Sequence, residues 1–299
     1  MVSIPLLPAL ACVLAARAAV AFHCYSDVEL GPVVQPINKG LAVDDSTFLG
    51  CPSKLPWVWP NTMQPVQSLR FFKAWRTDWP EAQRESTWQR IADYVLTNDA
   101  KILMGTQITC NDEEDNQDWE WTKQFLQLFT PDQIMGVSVG NELELLWQKT
   151  AEDASVTPAC ISRLWSGGHY WKQFVKRAED LNAIGLGSVM LTSVFTGTAL
   201  GGYPFLENPS QALVTSFLQN ATSTYGRRFA FTFNFYPYFD PSFQMDAKST
   251  TDCNTSIKQA ACWNSESCNV LATTLSARQK MQQLTGSALY QLWIGETGW

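Results

Sequence analysis

The sequence lacks several motifs by which common functional classes are recognised. It has no Cys-x-x-Cys pair, which weakens any prediction of a zinc site or a thioredoxin-like redox centre. It has no GxGxxG or GxxxxGK[ST] stretch, so neither a dinucleotide-binding loop nor a P-loop is indicated. Internal repeats and Ser/Thr-rich stalks are also absent. A structural wall protein is therefore the least favoured class.

Basic residues are few as well. The chain of 299 residues has 21 Lys and Arg against 28 Asp and Glu, and its pI is near 4.9. Nucleic acid is therefore not expected as a partner, because phosphate binding needs basic patches. Hydrophobic residues make up 45% of the chain, enough to bury a sizeable core in one large domain or two small ones. Most of the 13 tryptophans are expected to pack in that core, but flat rings in a cleft also hold sugar rings.

The first residues have the pattern of a secretory signal. Met1 to Ala21 contains an apolar centre too short to span a bilayer, and Ala19-Val20-Ala21 is a small-x-small cleavage site. We therefore expect residues 1–21 to be removed and the mature chain to begin at Phe22. No other segment is long and apolar enough to cross a membrane. Asn220 and Asn254 begin glycosylation sequons, which are usable only in an exported chain.

The cysteines agree with export. Eight are present, and Cys12 would leave with the signal, so an odd number remains. An oxidising compartment favours disulfides. We predict that at least two of Cys253, Cys262 and Cys268 are bonded to each other, because their close spacing makes loop closure inexpensive in chain entropy.

Short apolar runs alternate with amphipathic stretches along the chain. The runs cover residues 37–43, 68–72, 101–108, 134–139, 188–195, 228–235 and 288–294. Frequent alternation of this kind predicts βα units with right-handed crossovers, and the length fits a (β/α)8 TIM barrel. A doubly wound sheet is the alternative, but it would be expected to carry a glycine-rich phosphate loop.

Only seven runs can be counted, and the seventh reaches the last residues. We therefore expect residues 22–299 to form a C-terminally truncated barrel domain that lacks its eighth strand. The alternative is that Phe22 to Pro36 supplies an extra strand and closes the ring.

The stretches between the runs predict helices. Asp78-Trp79-Pro80-Glu81 is predicted to start a helix whose apolar face ends at Leu96, and one long helix is predicted over Ile161 to Ala183. A further helix is predicted near Pro209 to Gln219. The acidic segment from Asn111 to Asp118 is predicted to be a solvated loop. A calcium site there lacks the EF-hand spacing and its glycine.

Two of the apolar runs end in the same way. Ile134 to Val139 is followed by Gly140-Asn141-Glu142, and the terminal run is followed by Gly295-Glu296. Two buried strands that each deliver one Glu suggest paired carboxylates for acid/base or nucleophilic work. The alternative is that each Glu only begins a loop or caps a helix. Glu144 is predicted to lie in the first turn of the following helix.

Three motifs in order at barrel spacing resemble glycoside hydrolase family 17, the β-1,3-glucanases. Val139-Gly140-Asn141-Glu142 resembles the family's VGNE at the end of strand four. Asn234 to Phe239 resembles its N-x-YPYF at strand six, and Gly295 to Trp299 resembles its [SG]-E-[ST]-G-W-P at strand seven. The resemblance covers about Ile37 to Trp299. The chain departs from the family after the sixth strand, at residues 240–268, and lacks the Pro after Gly-Trp and the eighth strand.

The resemblance implies a role for each motif residue. Glu142 is implied to be the acid/base and Glu296 the nucleophile. Asn141 is implied to contact the sugar hydroxyl beside the reacting carbon, and Tyr236 to orient the nucleophile. Arg70 is expected to help keep Glu296 ionised, because a nearby cation favours the charged carboxylate, although an ordinary ion pair on the barrel is the alternative. Further candidate substrate-binding residues are Asn234, Tyr238, Phe239 and Trp299. Core packing is the alternative for Tyr238, Phe239 and Trp299.

The expected function is retaining hydrolysis of β-1,3-glucan, as polysaccharide or oligosaccharide, by a monomer that is secreted or held in a cell wall. No metal and no cofactor is implied. Transfer of the glucan to a sugar hydroxyl is the alternative on the same site. A glucan-binding protein without turnover is the alternative from a different class.

Overall fold

Parallel strands that pair in chain order form the centre of the molecule. The computed structural model describes residues 39–50, 53–237, 253–262 and 268–298. The predicted signal segment, Tyr238, Phe239 and Trp299 lie outside these residues. The seven strands of the main sheet are β1 (Leu41–Val43), β2 (Ser68–Phe71), β3 (Lys101–Thr106), β4 (Ile134–Asn141), β5 (Met190–Thr196), β6 (Phe231–Phe235) and β7 (Leu292–Thr297).

The sheet curls into a nearly closed barrel. The side chain of Arg70 on β2 reaches both Asn141 on β4 and Glu296 on β7, which a flat sheet of this strand order would hold far apart. Among the described residues β1 and β7 each pair with one neighbour only, and not with each other. The architecture is the incomplete (β/α)8 barrel that the sequence predicts. Each strand overlaps one predicted run, and β4, β5 and β7 extend past the C-terminal ends of theirs.

The strands are buried because side chains cover both of their faces, with phenylalanines on one face of β6 and Thr232 and Asn234 on the other. All five residues of β6 are buried, as expected for a parallel strand covered on both sides. Phe205 stacks on Phe233 with ring centroids 5.7 Å apart, and Phe231 lies against Phe229 and Tyr290. Each fully buried aromatic ring contributes about 1.5–3 kcal/mol of hydrophobic stabilisation.

Helices cover the outside of the sheet. They are α1 (Asp45–Leu49), α2 (Arg84–Thr97), α3 (Asp112–Leu126), α4 (Pro158–Leu164), α5 (His169–Ala183), α6 (Val214–Tyr225), α7 (Cys253–Ala261) and α8 (Asn269–Thr285). A short hairpin, with two residues in each strand, pairs Glu207–Asn208 with Ala212–Leu213 ahead of α6. None of the helices in the described part of the chain is long and apolar enough to span a membrane.

The acidic segment after β3 is helix, so the prediction of a solvated loop there is wrong. Asn111 caps α3 by accepting hydrogen bonds from the backbone of Glu113 and Glu114. Acidic residues fill the first turn, where the positive end of the helix dipole stabilises them. Asp115 and Asp118 are buried rather than solvated.

Other helix predictions were wrong in their bounds. The predicted helix over 161–183 is two helices, because Gly168 between them adopts a left-handed φ of 70°. Asp78 caps no helix, because its carboxylate is paired with Arg76. Leu96, predicted on the buried face of α2, is 72% exposed. The hairpin displaces α6 toward the C-terminus of its predicted range.

The described part of the chain contains two disulfides. Cys262 is bonded to Cys268, which confirms the prediction that at least two of the three cysteines after β6 pair with each other. Cys110 is bonded to Cys160, which links the loop after β3 to α4. Asn220, in the first sequon, lies exposed on α6.

Candidate active site

The end of β4 turns so that two consecutive side chains face the same way. Gly140 and Glu142 both have left-handed backbone, with φ of 78° and 54°, and the pairing register with β5 shifts there. In a regular strand Asn141 and Glu142 would point to opposite faces. For Glu142 this backbone costs about 1–3 kcal/mol. Its amide donates a 2.8 Å hydrogen bond to the carbonyl of Val194, which helps hold it in place.

The end of β7 needs a glycine before its carboxylate. A Cβ atom at Gly295 would lie 2.6 Å from Asn234 Oδ1 and 2.7 Å from Arg70 Nη1. Both contacts are shorter than real Cβ contacts. The small residue before Glu296 therefore lets two polar side chains pass behind the carboxylate.

One amide nitrogen joins the two glutamates. Asn234 Nδ2 on β6 donates to Glu142 Oε1 at 2.7 Å and to Glu296 Oε1 at 2.8 Å. The two distances add to 5.5 Å, so these two carboxyl oxygens can be no farther apart. The carboxyl groups at the ends of β4 and β7 thus lie side by side at the barrel mouth.

A buried arginine organises the same site from β2. Arg70 Nη1 donates to Glu296 Oε1 at 2.7 Å and to Asn234 Oδ1 at 3.1 Å, and Nη2 donates to Asn141 Oδ1 at 2.6 Å. The guanidinium lies 4.5 Å from the centroid of the Phe72 ring. Burial lowers the pKa of Arg70, but an arginine side chain remains charged in proteins. The site therefore contains one fixed cation beside two carboxyl groups.

Tyr236 contacts the second oxygen of Glu296. Its hydroxyl donates to Oε2 at 2.5 Å. Burial raises the pKa of Tyr236, and the hydrogen bond to Glu296 raises it further. The hydroxyl is therefore still protonated, and a donor, at pH values at which a free tyrosine would have begun to ionise. Both oxygens of Glu296 are held, which fixes the plane of its carboxylate.

Glu142 is in a different environment from Glu296. Burial raises the pKa of the Glu142 carboxyl, the hydrogen bond from Asn234 opposes the shift, and the charge of Glu296 adds to it. A raised pKa favours the protonated form. Glu296 instead accepts hydrogen bonds from a cation, an amide and a phenol. The arrangement can therefore present one carboxylic acid and one carboxylate to the same bond.

Glu144 lies close by in sequence but is not part of this arrangement. As predicted, it lies in the first turn of a helix, here the 3-10 helix Leu143–Lys149. Its Oε1 accepts from the backbone and the hydroxyl of Thr196 at the end of β5. Burial raises the pKa of Glu144 to about 7. Because it is 1% exposed, it is out of reach of a substrate.

Most of the site residues proposed from sequence converge in the structure. We call the converging set the barrel-mouth cluster: Arg70, Asn141, Glu142, Asn234, Tyr236 and Glu296. Tyr238, Phe239 and Trp299 lie outside the described residues. Sequence reasoning missed the packing of Phe72 on Arg70, although Phe72 follows the strand directly. It also named Asn234 only as a substrate-binding residue, whereas its amide lies between the carboxylates.

No three His, Cys, Asp or Glu side chains in the described ranges cluster as metal ligands would. Fold and site together define a parallel βα barrel with a carboxyl pair at the C-terminal ends of two strands. No protein-family model and no curated protein matches the chain.

Two solved structures are similar to this chain. One comes from a study of two plant β-glucan endohydrolases with distinct substrate specificities, at 17% identity, with a TM-score of 0.48 over 78% of this chain and 68% of that one. Another is an active-site mutant of a Rhizomucor miehei β-1,3-glucanosyltransferase in complex with laminaritriose. It has 17% identity and a TM-score of 0.40, over 79% of this chain and 61% of that one.

Proposed function

We propose that the chain is a retaining glycoside hydrolase that acts on β-1,3-glucan. The observation that carries the proposal is the spacing of the two carboxyl groups on Asn234, at most 5.5 Å between the bonded oxygens. Retaining enzymes need about 5–5.5 Å, and inverting enzymes need about 6.5–9.5 Å to admit a water. The substrate class rests on the resemblance of the three strand-end motifs.

In the first step Glu296 attacks and Glu142 donates a proton. A Glu296 oxygen forms a bond to the anomeric carbon as the bond from that carbon to the leaving sugar oxygen breaks. The proton of Glu142 goes to that leaving oxygen. Arg70 holds Glu296 in place for the attack through its hydrogen bond to Oε1. The raised pKa of Glu142 supplies the acid.

In the second step water releases the sugar. Glu142, now a carboxylate, takes a proton from the water. At the same time the oxygen of that water forms a bond to the anomeric carbon. The ester bond to Glu296 breaks, and the original protonation states return. If a sugar hydroxyl enters in place of water, the same intermediate gives chain transfer.

Asn141 is the group best placed to hold the sugar. Its Oδ1 is fixed by Arg70, and its side chain is exposed at the mouth of the barrel. The amide nitrogen makes no hydrogen bond to the described residues and is therefore available to a sugar hydroxyl. We propose that this is the hydroxyl next to the anomeric carbon. We also propose that the enzyme is secreted, on the strength of the N-terminal signal pattern.

The experiment is hydrolysis of laminarin followed by proton NMR of the first product. The expected result is soluble oligosaccharide whose new reducing end appears first as the β-anomer. An α-anomer as the first product would contradict retention. When a short oligosaccharide acceptor is added, products longer than the acceptor would identify transfer. Saturable binding of laminarin without any product would identify a binding protein.

A further inference from the structure

The turn that carries Glu142 contains one residue more than the strand beside it. Ser138 on β4 is paired with Thr192 on β5. The next pair is Asn141 with Val194, so β4 advances three residues while β5 advances two. An extra residue of this kind re-aims the side chains next to it. Glu142 follows with its left-handed φ of 54°, and such a backbone persists only where the surrounding structure holds it.

Hydrogen bonds hold the chain on the N-terminal side of this turn. The carbonyl of Val139 accepts from the hydroxyl of Tyr170 at 3.0 Å and from that of Ser193 at 2.8 Å. The amide of Glu142 donates to the carbonyl of Val194 at 2.8 Å. These bonds fix the backbone as far as the Glu142 amide. The direction of the Glu142 side chain also depends on where the next residues lie.

Glu144 holds the chain on the C-terminal side of the turn. Its Oε1 accepts hydrogen bonds from the backbone N–H of Thr196 at 2.5 Å and from the Thr196 hydroxyl at 2.9 Å. Thr196 is the last residue of β5 and lies two residues beyond Val194, which holds the Glu142 amide. Residues 142 and 144 are therefore both tied to the end of one strand.

A further hydrogen bond reaches this stretch from α4. The indole Nε1 of Trp165 donates to the carbonyl of Leu143, but its length of 3.3 Å lies beyond the usual range. The two bonds from Thr196 are shorter, and they end on a side chain that is 1% exposed. The Glu144 carboxyl is therefore the stronger anchor on this side of the turn.

This anchor does not depend on the charge of Glu144. Burial raises the pKa of its carboxyl to about 7, so both protonation states are populated near that pH. Oε2 is buried and has no hydrogen-bond partner among the described residues, whereas Oε1 accepts both bonds from Thr196. A proton carried on Oε2 leaves Oε1 able to accept. The link to β5 is thus available in either state.

We propose that Glu144 is the positioning residue for Glu142, because its side chain fixes the turn that keeps the Glu142 carboxyl within reach of the leaving sugar oxygen. Glu144 touches no substrate and transfers no proton. The inference rests on the proposed function and adds to it the residue that sets where the acid lies. A misplacement of about 1 Å can lower a rate by about 10²-fold, so loss of the anchor should slow the steps that need the acid.

Asp115 supplies a matched control elsewhere in the molecule. Its carboxylate accepts from the backbone N–H and the hydroxyl of one threonine, Thr109, as that of Glu144 does from Thr196. Asp115 is 3% exposed and Glu144 is 1% exposed. Truncation of either side chain therefore leaves the same two donors without their acceptor. Only Glu144 lies next to the left-handed turn.

The test compares two substrates that differ in their need for an acid. They are laminarin and a dinitrophenyl β-glycoside of laminaribiose, whose leaving group departs with little protonation. Glu144→Ala is expected to lower kcat/KM for laminarin by about 10–100-fold and that for the dinitrophenyl glycoside much less. Asp115→Ala is expected to leave both values nearly unchanged. Glu144→Gln keeps an acceptor for Thr196 and is expected to lose far less on laminarin than Glu144→Ala.

Three results would overturn the proposal. Equal losses on the two substrates would show general damage to the site instead of a misplaced acid. An unchanged kcat/KM for laminarin in folded Glu144→Ala would show that the anchor is not needed. A loss in Glu144→Gln as large as that in Glu144→Ala would show that the charge acts and not the hydrogen bonds.

A second variant guards against misfolding. If Glu144→Ala does not fold, Thr196→Val removes one of the two donors from the other side of the link. It is expected to give a smaller loss on laminarin alone, and Thr109→Val is its matched control. A loss that is equal on both substrates, or no loss on either, overturns the proposal here too.

An NMR titration of the Glu142 carboxyl carbon separates this inference from the proposed function. Burial is the main cause of the raised pKa of Glu142, so release of the turn in Glu144→Ala should lower that pKa toward the ordinary glutamate value. Glu144→Gln should lower it less. If the unmodified chain does not hydrolyse laminarin, the proposed function fails and this titration alone decides. A Glu142 pKa that is the same in all three proteins then overturns the positioning role.

Discussion

Two regions of this molecule bury carboxyl groups beside an arginine, and they differ in how far apart their partners lie in the chain. In the barrel-mouth cluster Arg70 donates to Glu296, 226 residues away. In the second region, the α3 cluster of Asp115, Asp118 and Arg177, the carboxylates accept bonds from residues 6 to 12 positions away. Arg177 donates to the backbone carbonyl of Asp115 instead of to a carboxylate.

A raised carboxyl pKa does not distinguish the two regions. Burial raises the pKa of Asp115 to about 6 and that of Asp118 to about 7, and it also raises that of Glu142. The origin of the side chains does distinguish the two regions. The barrel-mouth cluster draws its side chains from separate strands, which only the finished barrel brings together. The carboxylates of the α3 cluster tie one helix to the end of β3 and the loop before the helix, which is a local structural task.

The largest effect is expected from Glu296→Gln. This variant keeps an acceptor for Arg70 but removes the nucleophile, so turnover of laminarin should fall by at least about 10⁴-fold. No glycosyl-enzyme should be detected by intact-protein mass spectrometry with an activated substrate. The thermal midpoint serves as the control for folding. Normal turnover by a folded Glu296→Gln protein would remove the basis for treating the mouth cluster as catalytic.

The next effect is expected from Glu142→Gln. Loss of the general acid should cut turnover of unactivated glucan by about 10²–10⁴-fold. An aryl glycoside with a good leaving group needs less protonation, so its first step should survive, and added azide should restore turnover as a β-glycosyl azide.

The unmodified chain should show the matching pH profile if Glu142 acts as proposed. Its kcat/KM should fall as pH rises through the Glu142 pKa, which lies above the ordinary glutamate value. If added azide had no effect on the turnover of Glu142→Gln, the role of general acid would belong to another group.

A smaller effect of a different kind is expected in the α3 cluster. Asp115→Ala leaves the Thr109 backbone N–H and hydroxyl without their acceptor, so the free energy of unfolding should fall by about 1–3 kcal/mol. Turnover per folded molecule should stay within about twofold of normal, because no contact between described residues links Asp115 to the barrel-mouth cluster. Urea unfolding and initial rates on the same preparation measure both. A large loss of turnover with normal stability would erase the distinction between the regions.

The smallest effect is a pH dependence of stability. The folded-state pKa values of Asp115 and Asp118 are raised from 3.8 to about 6 and about 7, so between pH 4 and 7 the folded state binds more protons than the unfolded state. Their contribution to stability therefore falls as pH rises through that window. The thermal midpoint of Asp115→Asn should fall less steeply than that of the unmodified chain, by about 2–4 °C over the window. Parallel curves for the two proteins would contradict the raised pKa of Asp115.

Much of the barrel could be predicted from sequence because its signals are local. Each strand is an apolar run, and both glutamates follow such runs directly. The start of α3 could not be predicted from acidity alone, because acidic residues suit both a solvated loop and a helix N-terminus. The cap at Asn111 decides between them. The role of Asn234 could not be predicted either, because its two acceptors lie 92 and 62 residues away and meet it only after the barrel forms.

The amide of Asn234 also sets the distance between the two carboxyl groups without adding a charge. A spacing set by a second cation would relax whenever one acid gained or lost its proton, and it would loosen as salt rose. A neutral donor holds a carboxylic acid and a carboxylate alike, since each keeps an oxygen that can accept. The gap between the two groups can thus stay constant while Glu142 loses and regains a proton in the proposed mechanism.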